Sequence, residues 1–313
     1  MKRSAFLAAS TALAVVPATV RAQTLTTVTV ASAPNEDLLG TLWALETGAF
    51  RKAGLDVVLQ KANSGSAVAA AVAGGAINIG KSSLVSLLIG RSKGLPFVLV
   101  SAAGIYTAEY PTAGMVTANN STLKTGKDCN GKIMGVGALN DLTQLGTEAW
   151  VDATGGDSKT LRYVELPASA IAESVASGRV DAGTMPNPAF GQAIASGKVR
   201  LLSYCVSAVA RRFIQAAYFA TADYILKNRE TVAAFRRTVE EAAVYANAHH
   251  DQMIPVISKF TGVEPRAILA QPRQILGTSL DIRLIQPLVD AAVKYKAVPP
   301  TFEARMMIDA GGA

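Results

Sequence analysis

One stretch of the chain matches the phosphate-loop pattern G-x4-G-K-S/T, the motif that would point most directly to chemistry. It runs from Gly75 to Ser82 and reads GAINIGKS. In a phosphate loop a strand precedes the first glycine, and the loop after it surrounds a phosphate with backbone N–H groups. Here a helical pattern precedes Gly75, and the apolar residues after it predict a strand at 77–80. We therefore interpret the match as accidental.

Side chains that could form a catalytic set are scarce. No G-x-S-x-G sequence marks a nucleophile. His249 and His250 are adjacent near the end of a predicted helix, where neighbours point in different directions, so they suit neither a metal pair nor a catalytic base. The GVGALN sequence has Asn140 where a dinucleotide-binding fingerprint needs its third glycine. We predict that the protein is not an enzyme and uses no cofactor and no metal.

Polar side chains do occur where predicted strands end and helices begin. In open α/β sheets, ligands bind beyond the carboxyl ends of the strands, where helix N-termini offer free N–H groups. The predicted ligand-binding residues are Asn35, Ser64, Gly65, Ser66, Lys81, Ser82, Ser83, Tyr106, Asn140, Asp141, Thr143, Met185, Asn187 and Tyr218.

Several of these residues also have a structural alternative. Ser66 is suited to capping a helix, and the tyrosines Tyr106 and Tyr218 to packing near a hinge. Lys81 is suited either to a solvated rim or, beside a helix N-terminus, to pairing with an anion. Asn187 has the stronger functional case, because it lies between two prolines in a segment that cannot be helical.

Short apolar runs that alternate with helical stretches supply the elements that must carry these residues. Such alternation is typical of βαβ units and parallel sheets. Strands are predicted at 27–31, 55–59, 77–80, 97–102, 132–136, 161–165, 180–185, 200–204 and 213–221.

An internal repeat indicates two similar lobes. Residues 64–80 match residues 167–183 without a gap, at a constant offset of 103. Each copy predicts a turn, a helix opened by Ser66 or Ser169, a glycine stop and a short strand. The repeat makes the segments at 81–83 and 184–186 equivalent, so we expect them to face each other across a cleft.

The pattern changes after residue 204, since nearly everything beyond the strand at 213–221 is helical. One helix has an apolar stripe, and Pro287 fits the first turn of another. With no third sheet to pack on, these helices should return to the first lobe. We predict an α/β fold of two doubly wound lobes joined by a two-segment hinge, with the first lobe at 23–113 and 221–313 and the second at 114–220.

The first 22 residues have the features of a cleaved export signal. Lys2 and Arg3 precede an apolar run at 5–16, and VRA at 20–22 places small residues at the −3 and −1 positions of a cleavage site. The run is shorter than the about 20 residues that span a bilayer. We predict cleavage after Ala22 and a periplasmic protein.

The charge and the cysteine positions argue against two further features, nucleic-acid binding and a disulfide. Removal of the signal would leave 27 basic and 23 acidic side chains, a mild excess without a basic cluster, so nucleic-acid binding is not expected. Cys129 lies just before the strand at 132–136, and Cys205 follows the strand at 200–204. If these strands are parallel, the thiols lie at opposite ends of the sheet, which disfavours a disulfide.

Several stretches taken together carry a family resemblance. They are LWALETGAFRKAGLDVVL, AVAGGAINIG, SVASGRVDAG, NRETVAAFRRTVEEAAVYANAH and IQPLVDAAVKYKAV. With them the chain resembles the substrate-binding proteins of ABC importers, in the branch of aliphatic-sulfonate, taurine, nitrate and thiamine-precursor binders. The resemblance implies a type II periplasmic binding fold and delivery of a solute to permease subunits at the inner membrane. Lys81 and the MPNP sequence at 185–188 depart from many relatives, so no one relative's ligand can be assumed.

We therefore expect a monomeric binding protein that captures a small organic anion, a sulfonate or a carboxylate, between its lobes. A neutral or cationic heterocycle held by Asp141 and the tyrosines is the alternative ligand. A sensory protein that presents its ligand to a membrane receptor would have the same sequence features. A secreted hydrolase would need a nucleophile and base that the sequence does not show.

Overall fold

The computed structural model describes residues 24–62 and 64–308. Within these residues the chain forms two α/β lobes, each built on one mixed β-sheet. No helix in the described ranges combines the length and the apolar character needed to cross a membrane. The export signal predicted at 1–22 lies outside the described residues.

The secondary-structure elements follow one another in a βα pattern in both halves. The strands are β1 (Thr26–Ser32), β2 (Leu55–Lys61), β3 (Ile79–Ser83), β4 (Phe97–Thr107), β5 (Ala113–Ala118), β6 (Ile133–Val136), β7 (Arg162–Glu165), β8 (Ala182–Pro186), β9 (Val199–Ser203), β10 (Arg212–Thr221) and β11 (Ile275–Leu276). The α-helices are α1 (Leu39–Glu46), α2 (Ala49–Lys52), α3 (Gly65–Ala73), α4 (Leu84–Ser92), α5 (Leu142–Ala153), α6 (Ala168–Ala176), α7 (Ala189–Ala195), α8 (Ala222–Lys227), α9 (Arg229–Ala248), α10 (His250–Thr261), α11 (Pro265–Leu269) and α12 (Ile282–Lys294).

The two sheets contain parallel βαβ units and strands of opposite direction. The first sheet has the order β11-β4-β10-β3-β1-β2, and the second has the order β7-β6-β8-β5-β9. β1 is parallel to β2 and β3, and β6 is parallel to β7 and β8. By contrast, β10 is antiparallel to β3 and β5 is antiparallel to β8. β5 and β10 each follow a crossing from the other lobe. Each enters its sheet from the end at which the neighbouring parallel strands finish, so it runs in the opposite direction to them.

The internal repeat is reproduced in the structure. α3 and α6 begin and end 103 residues apart, and so do β3 and β8. Gly75 and Gly178, which follow the two helices, both have left-handed φ angles, of 76° and 73°. Asn78 and Asp181 each accept a backbone N–H of the neighbouring strand through a side-chain oxygen, at 2.9 and 2.8 Å. The two-lobe fold predicted from the repeat is confirmed.

Three predicted helix starts are wrong. α6 begins at Ala168, so Ser169 lies inside its first turn. α3 is capped by Ser64, whose hydroxyl accepts a backbone hydrogen bond, so Ser66 lies inside the first turn. α12 is capped by Asp281, which places Pro287 in the helix interior. In α3 and α12 an earlier side chain accepts a hydrogen bond from a free N–H of the first turn, and the helix therefore begins just after that side chain.

β10 corrects the predicted boundary between the lobes. The sequence places its residues in the second lobe, which was expected to end at 220, but β10 pairs with β3 and along the whole of β4 in the first sheet. Seven of its ten residues are buried, which suits a strand in the middle of a sheet. The chain thus crosses between the sheets at 108–112 and at 204–211. The N–H of Ala108 donates to the carbonyl of Arg211 at 2.8 Å and joins the two crossings.

The C-terminal helices pack on the first lobe, as predicted. α9 contacts α1, and α12 contacts β10 and α4. The apolar stripe of α9 is buried at Val232, Phe235, Val239, Ala242 and Ala246.

Cys129 and Cys205 are free and buried. Burial raises the pKa of each thiol to about 11, which keeps both in the unreactive thiol form at neutral pH.

Candidate ligand-binding site

A cavity of about 380 Å³ lies between the two lobes. It opens where β1, β3 and β8 end and where α3 and α5 begin, at the strand ends that the sequence analysis selected. Small-molecule sites in proteins have volumes of about 300–1,000 Å³. The cavity is therefore large enough for a small ligand.

Ten of the fourteen predicted residues line this cavity. They come from both lobes, and those of the second lobe follow β6 and β8. The ten are Asn35, Ser64, Gly65, Ser66, Lys81, Ser82, Ser83, Asp141, Thr143 and Asn187.

The other four predicted residues do not line the cavity. β4 continues past its predicted end, and β8 ends one residue later than predicted, so Tyr106 and Met185 lie within strands and face the core. Tyr218 is a buried residue of β10, and the hydroxyls of both tyrosines are hydrogen-bonded inside the protein, at 2.7 and 2.8 Å. Asn140 is exposed and has a left-handed φ of 56°.

Lys81 is paired within the protein. Its ammonium donates a hydrogen bond to the Asp37 carboxylate, and only 2% and 9% of the two side chains are exposed. Lys81 lies in β3, directly across from Ser32 at the end of β1, and Asp37 follows β1 in a short 3₁₀ helix. Lys81 is therefore not a solvated rim residue, and an anionic ligand would have to compete with Asp37 for its ammonium.

The cavity has an excess of carboxyl groups. Its lining contains Glu36, Asp37, Asp141 and Glu165, whereas Lys81 is the one cationic side chain among the described lining residues. Burial raises the pKa of Glu36 to about 7, and the neighbouring carboxylate of Asp37 acts in the same direction. Burial also raises the pKa of Asp141, against the opposing effect of the nearby Ser83 and Ser86 hydroxyls and a backbone N–H.

Six buried polar atoms of the cavity lining have no hydrogen-bond partner among the described residues. They are Ser82 Oγ, Ser83 Oγ, Asp141 Oδ1, Thr143 Oγ1, Asn187 Oδ1 and Asn187 Nδ2. Buried polar groups in folded proteins are nearly always hydrogen-bonded, to protein or to water. A concentration of free donors and acceptors in one cavity, supplied by both lobes, is the arrangement expected of a site that binds a polar ligand.

Sequence reasoning missed part of the lining. Glu36 and Asp37 come directly after the predicted Asn35, so an extension of that loop would have found them. Gln215 and Gln274 hydrogen-bond each other at 2.7 Å at the cavity wall. They were missed because they belong to β10, which was assigned to the other lobe, and to the segment just before the unpredicted β11. The remaining lining residues outside the prediction include Ser86, Thr112 and Glu165.

Among the described residues, no group of three or more histidine, cysteine, aspartate or glutamate side chains is arranged to hold a metal ion. The chemistry of the lining is that of hydrogen bonding, by hydroxyl, amide and carboxyl groups.

Glu36→Gln is expected to reduce a pH dependence of stability. A carboxyl group whose pKa is raised on folding binds its proton more tightly in the folded protein, so the free energy of unfolding falls as the pH rises from about 4.5 to about 7. Glutamine cannot ionise, so the variant should lose less stability over this window than the parent. Urea unfolding at about pH 5 and about pH 7.5 measures the difference. Glu46→Gln, at an exposed position of α1, controls for the removal of one carboxylate. If the parent and Glu36→Gln lost the same free energy of unfolding between the two pH values, the expectation would be contradicted.

Two α/β lobes, two crossings and a cleft at the strand ends define the periplasmic binding protein fold. A family model described as "NMT1/THI5 like" matches residues 35–253, and the chain therefore belongs to the NMT1/THI5-like family. None of the curated proteins compared by sequence matches the chain.

Solved structures of low sequence identity share the fold. The aliphatic sulphonate binding protein SsuA from Escherichia coli superposes with a TM-score of 0.73 at 18% identity, covering 90% of this chain and 97% of its own. The ligand binding component of an ABC-type import system from Staphylococcus aureus gives 0.76 at 11% identity, with coverages of 91% and 96%. The nitrate-binding protein NrtA from Synechocystis PCC 6803 gives 0.74 at 15% identity, with coverages of 90% and 84%. The predicted resemblance is confirmed in family and fold.

Proposed function

We propose that the protein is the substrate-binding component of an ABC import system and that it captures a small neutral or cationic ligand between its lobes. The solved structures of the same fold include a ligand binding component of such a system and periplasmic sulphonate- and nitrate-binding proteins. The cavity between the lobes, with its free polar atoms from both sides, supports capture. After export, the ligand-bound form would deliver the solute to the permease subunits.

The buried pair of Lys81 with Asp37 is the main support for this ligand class. The organic anion expected from the sequence rested on the helix N-termini, on Lys81 and on the Ser- and Asn-rich loops, and Lys81 was the one cationic side chain among them. A buried pair is neutral overall, and separating it to bind an anion would leave Asp37 buried without a partner. Glu165 adds a further carboxyl group to the lining, and Glu36 and Asp141 would oppose an anion in their ionised forms. These carboxyl groups therefore support a neutral or cationic ligand.

Capture would proceed by closure of the lobes. Ser82 and Ser83 contribute free hydroxyls from the first lobe, and Thr143 and Asn187 contribute a hydroxyl and an amide from the second. A ligand that bonds both sets binds the closed form more tightly than the open form and shifts the population towards it. Binding energy is thereby used to bring the lobes together.

A thermal-shift screen of the mature protein tests this proposal. We expect neutral or cationic compounds to stabilise it, by about 3 kcal/mol at one hundred times the dissociation constant, and ethanesulfonate, nitrate and benzoate to have no effect. Native mass spectrometry of the purified protein gives the mass of any ligand carried through purification. Stabilisation by one of the anions, without any by neutral or cationic compounds, would refute the proposed ligand class.

A further inference from the structure

We propose that Asn187 selects ligands that present a hydrogen-bond donor beside an acceptor, as carboxamides, lactams and ureas do. This inference rests on the proposed function and names the chemical group that the site would recognise. It starts from an amide side chain that is 7% exposed, lines the cavity and has neither of its polar atoms hydrogen-bonded.

The backbone around Asn187 holds this amide in place. The backbone N–H of Asn187 donates to the backbone carbonyl of Thr112 at 2.8 Å, in the segment that leads into β5. Pro186 ends β8 on one side, and Pro188 precedes α7 on the other. Because proline fixes its own φ and restricts the residue before it, the backbone of this segment has little freedom to move Asn187 away from the cavity.

A side-chain amide offers one acceptor oxygen and one NH₂ donor group in a single plane. A ligand amide can pair with both groups. Its N–H donates to Oδ1 and its carbonyl accepts from Nδ2, which gives two parallel hydrogen bonds. The pairing is reciprocal, so it holds whichever way round the Asn187 amide lies. A carboxylate presents acceptors only and an ammonium presents donors only, so each would leave one atom of the buried amide unsatisfied, which is unfavourable.

The neighbouring free groups complete this recognition. Thr143 Oγ1 and Ser82 Oγ are buried and without partners, and a hydroxyl can either donate or accept. They can therefore satisfy the second lone pair of a ligand carbonyl or the second hydrogen of a primary amide. Since Ser82 lies on the first lobe and Asn187 on the second, such a ligand would bridge the lobes.

Matched compounds that differ in one group test the inference. The probes are benzamide, benzoate and benzamidine, acetamide, acetate and acetamidine, and the neutral 2-pyrrolidone and urea. In the parent protein we expect a rise in melting temperature with at least one of the amides, lactam or urea, and a smaller rise with its charged analogues. In Asn187→Asp the amide shift should be lost and an amidine shift should appear, because a carboxylate accepts two hydrogen bonds from an amidinium group.

Asn187→Leu and Asn119→Asp serve as companion variants. The leucine removes both hydrogen-bonding atoms and should weaken amide binding at least tenfold. Asn119→Asp makes the same chemical change at an exposed position away from the cavity and should leave amide binding unchanged. Circular dichroism spectra and thermal midpoints, both measured without added ligand, establish that each variant is folded.

The outcomes separate this inference from the proposed function. If the amidines stabilise the parent and no amide does, or if both Asn187 variants bind the amides as the parent does, the amide inference fails and the proposed function stands. If only carboxylates or sulfonates bind, the proposed ligand class fails as well. No shift with any of the amides, the lactam or urea overturns the inference.

Discussion

Replacing Lys81 with methionine is expected to lower the free energy of unfolding by about 3–5 kcal/mol, because it leaves the Asp37 carboxylate buried without its partner. Methionine keeps most of the volume of the lysine stem, so the loss would reflect charge and not a cavity. The change should therefore act first on stability, although Lys81 lines the ligand cavity. Thermal unfolding of the ligand-free protein, followed by circular dichroism, measures it.

Two further variants make this test specific to burial. In the double variant Lys81→Met with Asp37→Asn, no charge is left unpaired, and most of the lost stability should return. Lys198→Met breaks the ion pair with Glu173, in which both side chains are more than half exposed, and should have a much smaller effect. A Lys81 variant as stable as the Lys198 variant would show that the buried pair does not form in solution.

Alanine at Gly80 or at Gly183 should destabilise the protein by about 1–3 kcal/mol, through overpacking. A Cβ at Gly80 would lie 2.7 Å from both Phe219 Cζ and Val68 Cγ1, closer than carbon atoms can pack. A Cβ at Gly183 would collide with the side chain of Ile171. The two glycines are equivalent in the internal repeat, and each lets the preceding helix pack closely on its strand.

Gly137→Ala is the matched control for these two variants. A Cβ there would meet no atom within 4 Å. Its stability should remain close to that of the parent, while both core variants unfold at lower urea concentration with unchanged slope. Stability equal to the parent in Gly80→Ala and Gly183→Ala would mean that the helices move away from the strands at little cost.

The repeat explains why much of the fold could be predicted from the sequence. Its signals are local, since a left-handed glycine and a short apolar strand can each be recognised within a few residues. Gly75 and Gly178 are examples, and α3, β3, α6 and β8 follow from them. β10 could not be assigned in this way. Its apolar run fits any buried strand, and its sheet is decided by pairing with β4, more than 100 residues earlier in the chain.

The same distinction applies to the candidate site. Strand ends are local features, and residues chosen there, such as Ser82 and Asn187, do line the cavity. Tyr106 was placed in a loop because β4 continues five residues past its predicted end. The pairing of Lys81 with Asp37 depends on β1 and β3 being neighbours in register, which a single sequence does not reveal.

The hydrogen bond between the crossings has a consequence for how the lobes move. β4 and β10 are paired as far as Thr107 and Arg212, and the bond from Ala108 to Arg211 extends their ladder by one step into the hinge. We expect the two crossings to move together where this bond joins them, bending more easily across the plane of the ladder than shearing within it. The lobes should therefore follow nearly the same path each time they close, and a ligand would have little sliding or twisting freedom to suppress.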